Sequence, residues 1–363
     1  MRLGVEAALV DGALVPGDVE VVDGTVAAYG LTGPNGSGIA VPGFVDLQVN
    51  GFAGVDLMHA DAEGYRRAAT ALLETGVTAY LPTFISAPEE ELLTALRSLP
   101  ADPGGARILG VHLEGPFLSK KRLGIHPAAA RRDPDPNLLE RLLGAGPVRM
   151  MTLAPELPGA NELIDRLLRD GVAVSAGHTD ATAVEAKLGF DRGVRAVTHL
   201  FNAMRPFRHR DPGLAGAALA REDVTVQIIL DGVHLAEETA RVAWHAARGR
   251  VALVTDAVAA AGMGDGSYFL GGSEIEVRDG VVRSLDDVLA GSSLTMIEAV
   301  RNLHSLGASL VDAVDAATAV PARVLGASDV GRLGIGLPAD LVVLDDNLEI
   351  ERVCVGGEAR VVA

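Results

Sequence analysis

The feature that most constrains this chain is an alternation. Eight short runs rich in β-branched residues follow one another along its middle: Ile39–Val45, Val77–Leu81, Arg107–Leu113, Val148–Leu153, Val172–Ala176, Val194–Thr198, Val224–Leu230 and Val251–Val254. Most are separated by stretches with helical periodicity, such as Ala62–Thr75, Glu89–Leu99, Asn161–Asp170 and Glu237–Arg248. A helix between two strands carries the chain back to the starting edge, so the strands run parallel. Eight such units predict an α/β fold of the (β/α)8 TIM-barrel type. An open doubly wound sheet is the alternative. It would want a glycine-rich phosphate loop after the first strand, and Pro42-Gly43-Phe44 is not one.

The two ends of the chain read differently. Val5–Val10, Val19–Val22 and Thr25–Tyr29 are short β-like runs punctuated by Asp11-Gly12 and Asp23-Gly24, pairs that favour tight hairpin turns. Gly30–Gly38 reads as a loop. Leu341–Leu344, Glu351–Val355 and Ala359–Val362 repeat the pattern, with Gly356-Gly357 as a turn. Neither end can bury a β face alone. They are therefore expected to pair into one small β-sandwich domain (1–40 and 332–363), leaving 41–331 for the barrel. Residues 267–285 read as a hairpin inserted after the eighth strand.

Composition narrows the function classes. With 48% hydrophobic and 22% charged residues in a chain of 363, intrinsic disorder is excluded. A net charge of −17 argues against nucleic acid as a partner and against a basic membrane-surface role. An anionic substrate would have to be met by a few local cations. The lysines are Lys120, Lys121 and Lys187 alone, so positive charge is mostly arginine. The single cysteine, Cys354, excludes an intramolecular disulfide and a four-cysteine zinc site, so any metal must be held by His, Asp or Glu. The N-terminus has no apolar signal-type region, and no apolar run approaches the roughly 18 residues that span a bilayer. A soluble, cytoplasmic protein is expected.

In a barrel of this type the reactive groups gather at the C-terminal ends of the strands. Unusual polar residues stand at those ends here: Asp46, Gln48 and Asn50 on strand one, Glu114 on strand three, His178 on strand five, His199 on strand six, Asp231 and His234 after strand seven, and Asp256 on strand eight. Glu114, His178 and His199 supply one carboxylate and two imidazoles, an open metal site that leaves a position for water. A divalent ion there lowers the pKa of water towards neutrality. Asp256, opposite, can take that proton and pass it to a leaving group. His126 lies in a long Gly/Pro-rich loop, 115–127, of the kind that forms lids. Asn202 and Ala203 stand where backbone N–H groups can face a ligand, and Arg210 and His209 follow, as an anionic group would require. Lys120, Lys121 and Arg122 read as a solvated charge run. His59, His209, His245 and His304 read as surface or packing histidines, and Trp244 as core.

These residues carry a resemblance. PGFVDLQVNG (42–51), GVHLEGPF (110–117), AGHTDA (176–181), THLFNAM (198–204), DPGLAG (211–216), VTDAVAAAG (254–262) and AGSSLTMIEAVRN (290–302) resemble, in order, the N-acetylglucosamine-6-phosphate deacetylase family of the amidohydrolase superfamily. RLGIGLPADLVVLD (332–345) resembles the amidohydrolase segment that re-enters the small β domain. The resemblance implies Glu114, His178 and His199 as metal ligands and Asp256 as acid/base. It implies His126 as the group that holds or polarises the acetamide carbonyl. Asn202 and Ala203 match residues near the phosphate, and Arg210 and His234 match the remaining phosphate or sugar contacts, in reach of a neighbouring subunit in a homodimer. The implied substrate is an amino-sugar phosphate, N-acetylglucosamine 6-phosphate. Many amidohydrolases carry His-x-His at the end of strand one; Gln48 and Asn50 stand there, which implies one divalent metal ion per subunit, zinc or else Fe(II) or another divalent ion. Leu123 stands where a basic residue is frequent.

Two other readings are disfavoured by the residues present. A cyclic-amide hydrolase with two metals bridged by a modified lysine is disfavoured, because no lysine falls at a strand end. A non-catalytic sugar-phosphate-binding protein should have lost a ligand or the base, and none is lost.

Overall fold

The computed structural model describes residues 1–32 and 36–362, so part of the expected Gly30–Gly38 loop lies outside the described residues. Eight parallel strands form a ring: Phe44–Val49, Val77–Ile85, a third strand in two pieces (Arg107–Ile108 and Val111–Glu114), Val148–Leu153, Ala173–Ala176, Ala196–Val197, Thr225–Ile228 and Val251–Leu253. Successive strands are hydrogen-bonded neighbours. A parallel bridge between Val49 and Ala257 brings strand one against the end of strand eight and completes the barrel. The helices lie outside it. Their apolar faces supply buried Leu72, Leu92, Leu139, Leu163, Phe190 and Trp244, which join the strands' outer side chains in one core. Trp244 is thus core, as its helical position suggests.

Two strands depart from the sequence reading. The expected first strand, Ile39–Val45, is two strands. Ile39–Pro42 belongs to the sheet built from the chain ends, and Phe44–Val49 begins the barrel. The break has a local part and a tertiary part. Pro42 has no N–H to donate, and Gly43 donates to the Asp340 carbonyl (3.0 Å) where Thr78 leaves no room for a side chain. A β-carbon at residue 43 would sit 2.1 Å from the Thr78 hydroxyl. The third strand is interrupted at Gly110, whose φ of +126° no β-branched residue would adopt.

The end-derived sheet runs in the order Ala13–Pro16, Ala7–Val10, Ile39–Pro42, Leu341–Leu344, Ile350–Val355, Glu358–Val362. A separate hairpin, Asp18–Val22 with Thr25–Leu31, packs on it through Val19, Val21 and Val26 against Val10, Leu341 and Cys354. Asp11 and Asp23 take the left-handed conformation (φ +47° each) that their tight turns demand. The segment expected as one hairpin at 267–285 is a three-stranded antiparallel sheet, Gly266–Leu270, Ser273–Arg278 and Val281–Ser284. It has its own apolar cluster, in which Leu270 and Ile275 pack with Ile85 and Val258 of the barrel rim. Among the described residues no helix is long and apolar enough to cross a membrane.

Candidate metal centre and active site

The strand periodicity that makes the barrel also aims its side chains. His112 and Glu114 pair in register with Thr83 and Ile85 of strand two, and Glu114 with Thr152 of strand four, so one face of strand three points into the barrel. Below the rim that face is polar and satisfied: His112 Nε2 meets Thr152 Oγ1 at 2.8 Å, and Thr152 meets Thr198 at 2.7 Å. At the rim, strands three, five and six bring Glu114, His178 and His199 together. Glu114 Oε1 lies 3.1 Å from His178 Nε2 and 2.9 Å from His199 Nε2, and the two ring nitrogens are 3.1 Å apart. All three residues are buried.

This triangle fits a metal ion. Ligand atoms about 2.0–2.2 Å from a tetrahedral cation stand roughly 3.3 Å from one another. The proton positions point the same way. His178 Nδ1 is 2.8 Å from the Arg122 carbonyl and must donate to it, which leaves a lone pair on Nε2 facing the Glu114 carboxylate. Two lone pairs at that distance repel unless a cation lies between them. Burial pushes the Glu114 carboxyl up, but the surrounding His126, His178 and His199 outweigh it and hold Glu114 well below the usual carboxylate range. Burial, then the neighbouring His126, drives His178 down to about 4, so its ring is neutral as a ligand must be. His178 and His199 both adopt left-handed backbone conformations (φ +47° and +29°), strain of the kind that clusters at active sites.

Asp256 ends strand eight on the opposite side of the same cavity, also left-handed (φ +49°). Burial, then the Glu114 charge, pushes it up to about 7. A bound cation would pull it back down. Gln48 and Asn50 donate to its Oδ1 at 3.0 and 2.7 Å, and Gln48 also donates to Glu114 Oε1 at 3.2 Å. The two amides thus hold the base and one ligand carboxylate in fixed relation. The sequence marks them as polar residues at a strand end and as replacements for His-x-His, with no role of their own. Their i, i+2 spacing at a strand end, which puts both on one face, was the available signal. Asp46, the next residue inward on that face, accepts from Thr255 Oγ1 at 2.6 Å and so anchors the residue before Asp256.

His126 comes down from the lid loop onto the metal site, its ring 4.4 Å from that of His178. The Ser86 backbone N–H donates to its Nδ1 (3.1 Å), which puts the ring proton on Nε2. Nε2 is buried, lacks a partner and lies 3.7 Å from Glu114 Oε2, so it is a donor aimed into the cavity. Ser86 was not foreseen, although it directly follows strand two. Asn202, Ala203 and His234 also line the cavity. Asp231 orients the His234 ring through Nδ1 (2.7 Å) and accepts the backbone N–H groups of Val233 and His234. The cavity measures about 280 Å³ and has an apolar wall of Ile85, Ile125 and Leu270. Arg210 is not brought here: it is exposed, on the loop after strand six, away from the lining. The expected charge run divides. Lys120 is exposed, but Arg122 is half-buried and paired with Asp180. His59 is partly exposed between Asp56 and Glu91.

Residues 39–360 match the model of the amidohydrolase family. The chain belongs to that family. This amidohydrolase is 39% identical over 342 residues to the N-acetylglucosamine-6-phosphate deacetylase of Mus musculus, covering 89% of this chain and 83% of the relative. It is 33% identical to the N-acetylgalactosamine-6-phosphate deacetylase of Escherichia coli O157:H7, over 96% of both chains. Its structure superposes with a TM-score of 0.94 on a mutant N-acetyl-D-glucosamine-6-phosphate deacetylase of Mycobacterium smegmatis in complex with N-acetyl-D-glucosamine-6-phosphate, at 38% identity and over 99% of each chain.

Proposed function

We propose that this amidohydrolase cleaves the acetamide of N-acetylglucosamine 6-phosphate, giving glucosamine 6-phosphate and acetate. The observation that carries the reading is one cavity lined by a two-histidine, one-carboxylate ligand triangle, a second buried carboxylate, and an imidazole donor beside the triangle. The deacetylase relatives, covered over most of their length, support it.

Glu114, His178 and His199 would hold one divalent ion; two histidines and one carboxylate suit zinc, with Fe(II) as an alternative occupant of the same set. When bound, that ion supplies the Lewis acidity that makes a water nucleophilic near neutral pH. Asp256 receives the proton of the attacking water. Gln48 and Asn50 keep its Oδ1 turned so that the other oxygen faces the cavity. His126 Nε2–H donates to the acetamide oxygen as negative charge builds there. Asp256 then returns the proton to the departing amine, so one carboxylate serves as base and then acid. Asn202, Ala203 and His234 receive the phosphate end.

Arg210, exposed within its own chain, serves a second copy, so the working unit is a homodimer. Exposed Val184, Leu188, Phe207 and Val233, on the helices and loops after strands five to seven, support an apolar contact on that side. We read the chain as two units, an end-derived β domain and the barrel. Its place is the cytoplasm, where sugar phosphates are made and kept.

The test is acetate release by chelator-stripped protein, given one metal at a time, from N-acetylglucosamine 6-phosphate beside the unphosphorylated sugar. Metal-dependent turnover of the phosphorylated sugar alone is expected. No turnover with any metal, in folded protein that binds one ion, overturns the reading. The galactosamine-named relative favours a second one: the 4-epimer, N-acetylgalactosamine 6-phosphate, as the better substrate. The same assay with both epimers decides between them by kcat/KM.

A further inference from the structure

The short basic run of the lid loop has a role that substrate contact does not explain. Arg122 faces inward twice. Its backbone carbonyl accepts the Nδ1–H of His178 at 2.8 Å, and its guanidinium lies on Asp180, with Nε and Nη2 at 2.9 and 2.7 Å from the same carboxylate oxygen. The other Asp180 oxygen takes Lys121 Nζ at 3.0 Å and Arg205 Nη1 at 3.4 Å. Asp180 is itself held from behind: its N–H donates to Glu156 Oε1 (2.8 Å), and the neighbouring Thr179 hydroxyl donates to Glu156 Oε2 (2.5 Å). The loop is tied a second time through Ser119, whose N–H donates to the His178 carbonyl at 2.9 Å. Gly124 then passes over the ring, where a β-carbon would stand 3.5 Å from His178 Cε1.

We infer that Arg122 and Asp180 form a clasp that positions His178 for metal binding, with the Arg122 carbonyl as the acceptor that fixes the ligand tautomer. The physical reason lies in one residue doing two things. A carbonyl on a lid loop is a poor orienting partner, because loops move. Anchoring the same residue's side chain to a carboxylate two residues beyond His178 makes the carbonyl part of the rigid rim. Lys121 pairs with the same carboxylate, but it is exposed and its carbonyl does not reach His178. It therefore separates the clasp from simple neutralisation of Asp180. Partners that orient a metal-bound histidine typically contribute 10–100-fold in affinity.

The experiment is a Co²⁺ titration of chelator-stripped protein, followed by the ligand-field absorption of the ion, in the wild type, Arg122→Met, Arg122→Lys and Lys121→Met. Wild-type uptake of one ion establishes the centre independently of any substrate. Arg122→Met is expected to weaken Co²⁺ binding 10–100-fold and to change the ligand-field band shape as the ring loses its fixed orientation. Arg122→Lys, which keeps a cation on Asp180, should recover part of the loss. Lys121→Met should stay within about threefold of wild type. Should Arg122→Met fail to fold by circular dichroism, the affinity of Arg122→Lys, expected to fall measurably below the wild type, decides. Wild-type affinity and band shape in the decisive Arg122 variant, or an equal loss in Lys121→Met, overturns the clasp.

Discussion

The groups around the ligand triangle and those proposed for the phosphate differ in one respect: all of the first belong to the buried cavity, and the cation among the second does not. Around the triangle every reacting side chain is buried, and most have a partner that sets its rotamer or tautomer: Arg122 carbonyl for His178, Ser86 N–H for His126, Gln48 and Asn50 for Asp256. Of the groups proposed for the phosphate, Asn202, Ala203 and His234 line the same cavity, His234 with its ring held by Asp231 at 2.7 Å, while the candidate guanidinium, Arg210, is exposed on a loop outside the lining. The difference matches what each set must do. Proton transfer and polarisation of a carbonyl need groups held to fractions of an ångström. A dianionic phosphate can be held by a charge that arrives with binding, even one from another chain.

Substitutions in the two sets should therefore fail in different ways. The largest effect belongs to Asp256→Asn. It keeps the shape and the amide contacts but cannot accept a proton. A loss of about 10³-fold or more in kcat is expected with metal content unchanged, read by steady-state kinetics beside elemental analysis. Near-normal turnover would remove Asp256 from the chemistry. His126→Phe comes next, with kcat down about 10²–10³-fold, the magnitude of a lost oxyanion donor, and KM little altered.

Arg210→Ala tests the second set. KM for the phosphorylated sugar should rise about tenfold or more at nearly constant kcat. If kcat falls instead, the arginine belongs with the groups around the triangle and the contrast disappears. Mixing Arg210→Ala with an Asp256→Asn chain should regain part of the activity through mixed dimers, if the arginine works across an interface.

The smallest effect concerns the floor beneath the metal site and is one of stability. Burial pushes Asp46 up to about 7, against Thr255 and backbone donors that pull it down. Its folded pKa lies above its unfolded one. The protonated form therefore stabilises the fold fully below about pH 4, and that contribution is lost as pH rises through 7. Asp46→Asn imitates the protonated form. Its stability relative to wild type should grow between pH 4 and 7, to on the order of 2–4 kcal/mol, measured by urea unfolding of metal-free protein. A flat difference across that range would mean that Asp46 stays ionised in the fold.

Much of this was legible in the residue order. Parallel strands joined by helices put every strand's C-terminal end on one rim, so Glu114, His178, His199 and Asp256 could be grouped without coordinates. What escaped were contacts whose partners are far apart in the chain and share no pattern. Gln48 and Asn50 meet Asp256 across 208 and 206 residues, only because strand one closes on strand eight. Arg122 reaches Asp180 across 58 residues, and nothing in Lys-Lys-Arg distinguishes a clasp from a solvated charge run. The false first strand, Ile39–Val45, has the same origin. Its apolar run is continuous, and the break at Gly43 depends on Asp340 and Thr78.

By itself, then, the sequence determined the barrel, the rim and the chemical types gathered on it, because local periodicity dictates which way a side chain faces. The tertiary structure alone decided how those groups are held: which ring nitrogen carries the proton, which oxygen of Asp256 is free, and which loop is fastened to the metal site. Those properties depend on distances of about 3 Å between residues that are remote in the chain, and hydrogen-bond strength falls off too steeply for spacing along a sequence to specify them.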